Sequence, residues 1–282
     1  MKNYSLSLII LTLFALYGGF QLGLFPSPFA APVTPAVIAH RGDRVHAPEN
    51  TLSAFYLALE GESDGIELDV QKTKDQVPVV FHDTTLKRLY ADGHRVAEIT
   101  ENEFRKLSNV SHSFESSSGC TLEEALKLCR KYPKARINLD LKASGTEEKV
   151  VFLIEKYDLS AQCEVTSKDI TVLKKIKKLN PGIKTVLLLS SYYAVSAYKY
   201  ARILSYIQKE DSSSFDSYVD GISVRSQFAT VPLIRTAHSR NQYVYVWTVN
   251  SAGETQRMRR LGADGIITDD PSYIAKCIRS DH

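Results

Sequence analysis

The stretch from Val37 to Asp83 reads VIAHRGDRVHAPENTLSAFYLALEGESDGIELDVQKTKDQVPVVFHD, and it contains the residues that decide the fold. Two short apolar runs in it each end in a histidine, at His40 and at His82. Between them the segment IELDV alternates apolar and acidic side chains, which predicts a β-strand with Glu67 and Asp69 on one face. Two carboxylates on one strand face repel each other unless a cation lies between them. Oxygen ligands of this kind suit a hard divalent ion such as Mg²⁺ or Ca²⁺.

The connection that follows this acidic strand is too short for a parallel crossover, which needs roughly a dozen residues. It therefore predicts a β-hairpin with Thr73–Gln76 at its tip and Pro78–His82 as the partner strand. Such a hairpin sets His82 about opposite Glu67, so that an imidazole and the predicted metal ligands share one layer.

The rest of the chain alternates short apolar strands with helical patterns. The segment RINLDLK at 136–142 repeats the design of the acidic strand, with Asn138, Asp140 and Lys142 on one face. The alternation continues to Gly265–Thr268 and gives eight strands once the hairpin partner is set aside. This pattern predicts an α/β fold, a TIM (β/α)8 barrel with a β-hairpin extension after the second strand and one N-terminal hydrophobic helix before it. Active sites of such barrels lie at the C-terminal ends of the strands.

The N-terminal residues predict a separate segment. Leu6–Phe25 carries no charge and has about the 20 residues that a membrane-spanning helix needs. We therefore divide the chain into a transmembrane anchor or signal segment (1–25), a Pro-rich spacer (26–35) and a barrel domain (36–282). The long apolar run favours an uncleaved anchor. With only Lys2 before it, the charge bias predicts a membrane-anchored protein whose catalytic domain is extracytoplasmic, or a secreted one if the segment is cleaved.

The composition is that of an ordinary globular protein. Of the 282 residues, 24% are charged and 44% apolar, and the formal net charge is only +3. Because no basic stripe is present, no nucleic-acid partner is expected. The four cysteines lack the spacing of zinc or redox sites and are predicted to be free thiols. Nothing in the sequence indicates the oligomeric state.

An ordered set of motifs in the chain resembles the glycerophosphodiester phosphodiesterase family. The set comprises His40-Arg41-Gly42, Pro48-Glu49-Asn50-Thr51, Glu67-x-Asp69, Thr73-Lys74-Asp75 and His82-Asp83. Two later segments, 245–250 and 262–269, also look like motifs of that family, so the resemblance covers almost everything after Pro35. The resemblance implies hydrolysis of glycerophosphodiesters to glycerol 3-phosphate and an alcohol, with two catalytic histidines.

The motif residues match the needs of phosphodiester cleavage, which are charge neutralisation, an activated nucleophile and a protonated leaving group. Glu67, Asp69 and Asp140 are expected to hold one divalent cation, Mg²⁺ or Ca²⁺. Arg41 and Lys142 are expected to bind the remaining negative charge of the phosphate.

The other candidate residues would act on protons and on the substrate. His40 and His82 are expected to divide the general base and general acid roles, since imidazole titrates near neutral pH, but the sequence does not say which is which. Trp247, the only tryptophan, is expected to form an apolar wall for the glycerol moiety. Glu49 either binds substrate or orders its loop, and Asn50 is expected to fix that loop.

Two further sequence features bear on these expectations. Asp269 and Asp270 precede a proline and are expected to cap the last helix. Asp140 stands where the resembled family commonly has glutamate in a Glu-x-Lys pattern. An aspartate there resembles the lysophospholipase D-like branch, so the substrate is less defined than the chemistry.

Two alternatives to the leading function remain open. The first is a lysophospholipase D, which Asp140 and the predicted anchor favour. Separately, a tyrosine cluster after one strand could form a rim near the membrane that admits a lipid chain. Its members are Tyr192, Tyr193, Tyr198, Tyr200 and Tyr206, which could equally pack an outer helix. The second is a catalytically inactive membrane protein that binds glycerophosphodiesters. The complete set of histidines, acids and cations argues against it, because a binding protein needs no proton-transfer pair.

Overall fold

The structure, a computed structural model, describes residues 34–108, 118–189 and 217–279. The predicted N-terminal segment at 1–25, most of the spacer and the tyrosine cluster at 192–206 lie outside these residues, and what was predicted of them stays a prediction. Within the described ranges, none of the helices combines the length and the apolarity that crossing a membrane requires.

The described residues form nine strands and nine α-helices, numbered here in chain order. The strands are β1 (Ala36–His40), β2 (Gly65–Lys72), β3 (Pro78–Val80), β4 (Arg136–Leu141), β5 (Cys163–Ser167), β6 (Lys184–Leu189), β7 (Gly221–Arg225), β8 (Tyr243–Trp247) and β9 (Gly265–Thr268). The helices are α1 (Leu52–Glu60), α2 (Lys87–Tyr90), α3 (Glu101–Arg105), α4 (Leu122–Cys129), α5 (Glu147–Lys156), α6 (Ile170–Leu179), α7 (Val231–Ser239), α8 (Ala252–Leu261) and α9 (Pro271–Arg279).

Eight of the strands close a parallel barrel. Around the barrel they follow one another as β1, β2, β4, β5, β6, β7, β8 and β9, and β9 pairs with β1 to complete the ring. The remaining strand, β3, pairs antiparallel with the end of β2. The predicted TIM barrel with a hairpin extension is therefore confirmed.

The hairpin differs from the prediction in its extent and register. The partner strand ends at Val80 instead of continuing to His82, and Val80 pairs with Val70. Continuing this register would set His82 across from Leu68, one residue from the predicted Glu67. The difference arises because Gln76 at the tip adopts a left-handed conformation (φ 65°), and the register of a hairpin depends on its turn.

The alternation of β2 sends its two sets of side chains to opposite sides of the barrel wall. Ile66 and Leu68 are fully buried and belong to the main apolar cluster, together with Phe55 of α1. The intervening acids therefore point into the barrel. Register pairing sets Asp69 directly beside Asp140 on β4, so the acids of two strands meet in one layer.

A second apolar cluster supports the segment that follows β3. Phe81 stacks on Tyr90 with ring centroids 5.5 Å apart and meets the edge of Phe104 at 6.1 Å. Because Phe81 directly precedes His82, this packing fixes where that histidine leaves the hairpin.

The cysteines form no disulfide bonds. Cys120, Cys129 and Cys163 are buried and Cys277 is half-buried, and all four are free thiols as predicted. They act as small apolar side chains in the packing of the barrel.

The glycine of the loop after β1 makes a stability prediction possible. Gly42 has φ +83°, and a Cβ on it would lie 2.7 Å from the Ala54 backbone carbon. We expect Gly42→Ala to lower the free energy of unfolding by about 2–4 kcal/mol, because strained backbone and overpacking add up. Urea denaturation measures this, with Gly93→Ala as the control because no atom lies within 4 Å of that position. Equal losses in the two variants would contradict the prediction.

Candidate active site

His40 is the last residue of β1, and its ring is hydrogen-bonded to a carboxylate that follows the neighbouring strand β9. Its Nδ1 lies 2.7 Å from Oδ1 of Asp269, the residue that follows β9. A carboxylate only accepts hydrogen bonds, so Nδ1 carries the proton and the neutral ring keeps a lone pair on Nε2. Burial lowers the pKa of His40 below its ordinary value of 6.5, although the bond to Asp269 acts in the opposite direction. His40 is therefore held neutral near pH 7, in the state that accepts a proton.

Asp269 orients His40, and the prediction that it caps the last helix is wrong. Its carboxylate accepts hydrogen bonds from Arg44 (3.1 Å) and Asn250 (2.8 Å) besides the one from His40. Asp270 provides the cap instead, accepting from the backbone N–H of Tyr273 at 2.9 Å. Burial would raise the pKa of Asp269, but the bond from His40 and the charge of Arg44 hold it well below its ordinary value.

Three buried carboxylates from β2 and β4 meet beside this pair. Glu67, Asp69 and Asp140 each offer an oxygen, and these atoms lie within 4.8 Å of one another. Burial, reinforced by the charges of the other two acids, raises the pKa of Glu67 well above its ordinary value. Burial also raises the pKa of Asp140. An all-oxygen, charge-crowded group of this kind fits one hard divalent cation.

Two cations contact the acid cluster at its edges. Lys142 Nζ lies 3.0 Å from Oδ1 of Asp69 and also bonds to Asp140. Arg41 Nε lies 3.1 Å from Oδ2 of Asp69, and the Arg41 backbone N–H donates to Glu67 at 3.0 Å. Burial would raise the pKa of Asp69, yet the charges of Lys142 and Arg41 keep it below its ordinary value.

Asn50 ties the loop after β1 to the acid cluster, as predicted. Its side-chain amide donates to Oδ2 of Asp69 at 2.8 Å and accepts from the Asp69 backbone N–H at 3.3 Å. The residue has φ 58°, a left-handed conformation that asparagine tolerates better than most residues.

His82 also bonds to a carboxylate, in this case that of its neighbour in the chain. Its Nδ1 lies 2.6 Å from Oδ1 of Asp83, whose other oxygen accepts from Arg88 Nε at 2.5 Å. The charge of His82 acts on the pKa of Asp69 and Asp140, so it lies within electrostatic reach of the acid cluster. Each histidine thus has a carboxylate on Nδ1 and can exchange protons through Nε2.

Glu49 receives hydrogen bonds from three arginines. Oε1 accepts from Arg41 (2.8 Å) and Arg88 (2.7 Å), and Oε2 accepts from Arg44 (3.0 Å) and again from Arg88 (3.0 Å). Burial would raise the pKa of Glu49, but the Arg88 bond and the charges of Arg41 and Arg44 lower it. Both carboxylate oxygens are therefore already bonded within the protein.

Trp247 ends β8, at the same end of the barrel as the acids. It packs against the buried cluster of Ile38, Tyr245 and Ile267. The Arg225 guanidinium at the end of β7 lies 4.9 Å from the centre of its ring. The indole at the end of β8 thus has an apolar cluster and a cation as its neighbours.

Sequence reasoning missed the residues that orient the histidines. Asp83 adjoins His82 and could have been suspected, whereas Asp269 was assigned to a helix cap. Arg44 and Arg88 were missed as well, because each has one carboxylate partner far along the chain: Asp269 is 225 residues from Arg44, and Glu49 is 39 residues from Arg88.

Comparison with known protein families gives a match over most of the chain. The model of the glycerophosphoryl diester phosphodiesterase family matches residues 40–273. A glycerophosphodiester phosphodiesterase of Caldanaerobacter subterraneus subsp. tengcongensis is 32% identical over 252 residues, which cover 86% of this chain and 97% of that protein. A human lysophospholipase D is 26% identical over 263 residues, which cover 84% of this chain and 82% of the relative.

Solved structures share the barrel. A glycerophosphoryl diester phosphodiesterase from Silicibacter pomeroyi superposes with a TM-score of 0.77 at 24% identity, covering 89% of this chain and 95% of that one. A phosphodiesterase from Oleispira antarctica, solved in complex with its product sn-glycerol-3-phosphate, superposes with a TM-score of 0.70 at 25% identity, covering 86% and 96%.

Proposed function

Because the chain belongs to the glycerophosphoryl diester phosphodiesterase family and is thus a phosphoric diester hydrolase, we propose that it releases glycerol 3-phosphate and an alcohol from glycerophosphodiesters with one divalent cation. The observation that carries the proposal is the meeting of three buried carboxylates, two cations and two histidine–carboxylate pairs at one end of the barrel.

Glu67, Asp69 and Asp140 would hold the cation. The raised pKa of Glu67, caused by burial and by the other two carboxylates, reflects an excess of negative charge that a divalent ion would relieve. When bound, the cation supplies Lewis-acid stabilisation of the phosphoryl oxygens. Three carboxylates leave coordination positions free, as both Mg²⁺ and Ca²⁺ require, so we propose either ion.

Arg41 and Lys142 would bind the phosphate. Both touch Asp69 and so lie at the border of the proposed cation site. Burial alone would lower the pKa of both side chains, but the neighbouring carboxylates raise it. Both side chains therefore stay charged at all working pH values. A fixed positive charge at this position stabilises the charge that builds up on the phosphoryl group in the transition state.

His40 would act as the general base and His82 as the general acid. The pKa of His40 is lowered by burial, so near neutral pH its Nε2 is free to take the proton of the attacking water. As the water oxygen bonds to phosphorus, the bond to the alcohol oxygen breaks and His82 gives that oxygen a proton. His82 suits this role because its side chain is 34% exposed, against 14% for His40, so an alcohol that it protonates would have readier access to solvent.

Trp247 and Glu49 would act on the substrate less directly. The indole at the end of β8 would pack against the glycerol moiety, across the barrel mouth from the acids. Glu49 was expected either to bind substrate or to order its loop. Its four bonds from arginines favour the second role.

A lysophospholipase D is the second candidate. Asp140 in place of the commoner glutamate and the similarity to a human lysophospholipase D support it. An N-terminal membrane anchor with an extracytoplasmic catalytic domain would place the site near lysolipids, and we retain that location as part of this proposal.

One assay separates the two candidates. The full chain in detergent micelles is incubated with glycerophosphocholine and, in parallel, with lysophosphatidylcholine, after EDTA treatment and after addition of Mg²⁺ or Ca²⁺. We expect metal-dependent formation of glycerol 3-phosphate from the first substrate, measured by coupled enzymatic assay. His82→Ala should abolish it, because the leaving alkoxide then lacks its proton donor.

The outcomes are distinct. Faster choline release from lysophosphatidylcholine would select the lysophospholipase D. No release from a broad panel of diesters by a folded, metal-loaded chain would leave the inactive binding protein as the explanation.

A further inference from the structure

We propose that Arg44 and Arg88 are positioning residues. Each holds the carboxylate of one histidine–carboxylate pair, and both are anchored on Glu49. The inference rests on the function proposed above. It concerns two side chains that belong neither to the acid cluster nor to the phosphate-binding pair.

The first half of the connection runs from His40. Its Nδ1 bonds to Asp269 at 2.7 Å, and the same Asp269 oxygen accepts from Arg44 Nη1 at 3.1 Å. The other terminal nitrogen of Arg44 donates to Glu49 at 3.0 Å. Arg44 therefore bridges the carboxylate that orients His40 and the carboxylate of Glu49.

The second half mirrors the first. His82 Nδ1 bonds to Asp83 at 2.6 Å, and Asp83 accepts from Arg88 Nε at 2.5 Å. Both terminal nitrogens of Arg88 donate to Glu49, at 2.7 and 3.0 Å. An unbroken series of ion pairs thus joins the two proposed catalytic histidines, with Glu49 at its centre.

The geometry makes this series stiff. All three nitrogens of Arg88 are used, and its planar fork fixes the angle between the carboxylates of Glu49 and Asp83. The side chain of Glu49 is only 5% exposed, so water has little access to replace a lost arginine. Arg88 itself is 44% exposed, but its loss would leave the buried Glu49 with two arginines instead of three and would remove the arginine from Asp83.

The consequence is that each arginine controls one of the two proton transfers, while Glu49 holds the two arginines in place. A carboxylate on Nδ1 sets the direction in which Nε2 points, and proton transfer tolerates little misplacement. Arg44 would govern the base side at His40, and Arg88 the acid side at His82. Loss of Arg88 should therefore slow the reactions that need a protonated leaving group and spare those that do not.

The test compares two leaving groups in the full chain. We expect Arg88→Gln to lower kcat on glycerophosphocholine by about 10- to 100-fold with little change in KM, by analogy with other outer partners of catalytic groups. On the p-nitrophenyl ester of glycerol 3-phosphate the loss should stay below about threefold, because p-nitrophenolate leaves without a proton. Arg88→Lys, which keeps the charge without the fork, should behave like Arg88→Gln. Arg44→Gln should slow both esters alike.

Arg105→Gln is the matched control. Arg105, in α3, also bridges two carboxylates, Glu101 at 2.6 Å and Glu124 at 2.7 Å, and it is exposed to a similar degree. Neither of these carboxylates is bonded to His40 or His82, so the variant should not affect the proton transfers. Thermal melting of the Arg88 and Arg105 variants accounts for any purely structural loss. The double variant Arg44→Gln/Arg88→Gln should lose less kcat than the product of the single losses, since both act through Glu49.

The outcomes separate this inference from the function on which it rests. A wild-type chain that hydrolyses neither ester would overturn the proposed function and the inference together. With an active wild type, equal losses on the two esters for Arg88→Gln, or a loss no larger than that of Arg105→Gln, would overturn the inference alone.

Discussion

Replacing His40 by alanine is expected to lower kcat on a glycerophosphodiester by about 1,000-fold or more, the range found when a general base is removed. The ring is the buried partner of Asp269, and the neighbouring Arg41 and Arg44 cannot replace it as a base, because both are permanently charged donors. KM should change little, because the groups proposed to bind the phosphate, Arg41, Lys142 and the divalent cation, do not include His40.

The same variant should change the dependence on pH. Burial lowers the pKa of His40 below 6.5, so the base is neutral and active above that lowered pKa and is lost as the pH falls through it. The wild-type kcat/KM should therefore decline on the acid side with a midpoint below 6.5. In His40→Ala this decline should disappear from the residual activity.

His238→Ala is the control for both effects. His238 also bonds to a carboxylate, Asp264 at 2.8 Å, but lies at the end of α7 and outside the candidate site. The variant should keep the wild-type rate and pH profile. An unchanged acid limb in His40→Ala would show that another group acts as the base.

The local sequence was sufficient to predict the barrel and the acid cluster. The period of two in β2 and β4 is a local signal, and the parallel order of the strands brings Asp69 beside Asp140 without further information. Polar residues at the C-terminal ends of parallel strands must meet. The geometry of the acid cluster therefore follows from the alternation of residues in these two strands.

The partners of the histidines could not be predicted in this way. Asp269 fits two interpretations. It follows a strand, as a site residue of a barrel does, and it lies two residues before a proline, where a helix cap is also plausible. Only the pairing of β9 with β1, which brings Asp269 to His40, decides between them. The bond between Glu49 and Arg88 spans 39 residues and depends on how the hairpin turns. The one-residue error in the hairpin register has the same origin, a turn conformation at Gln76 that no periodicity encodes.

Asp140 provides the sharpest test of the proposed metal site. Asp140→Asn is expected to weaken divalent cation binding by at least about 100-fold, because one of three charged oxygens becomes a neutral amide. Calorimetric titration of the full chain with Mg²⁺ and Ca²⁺ measures the effect without reference to activity. The protein should stay folded, since burial raises the pKa of Asp140 and the variant removes an unfavourable buried charge.

Two further variants serve as controls for the cation affinity of Asp140→Asn. Asp140→Glu restores the charge with one more methylene, so it should retain cation binding and shift only the position of the ion. Glu164→Gln removes a carboxylate that is equally buried in the barrel but bonds to Tyr245 at 3.1 Å and lies outside the acid cluster. Its cation affinity should equal that of the wild type. If Glu164→Gln and Asp140→Asn lost affinity alike, the barrel's overall negative charge would hold the ion, whereas a loss confined to Asp140→Asn assigns it to the three carboxylates that the strand register brings together.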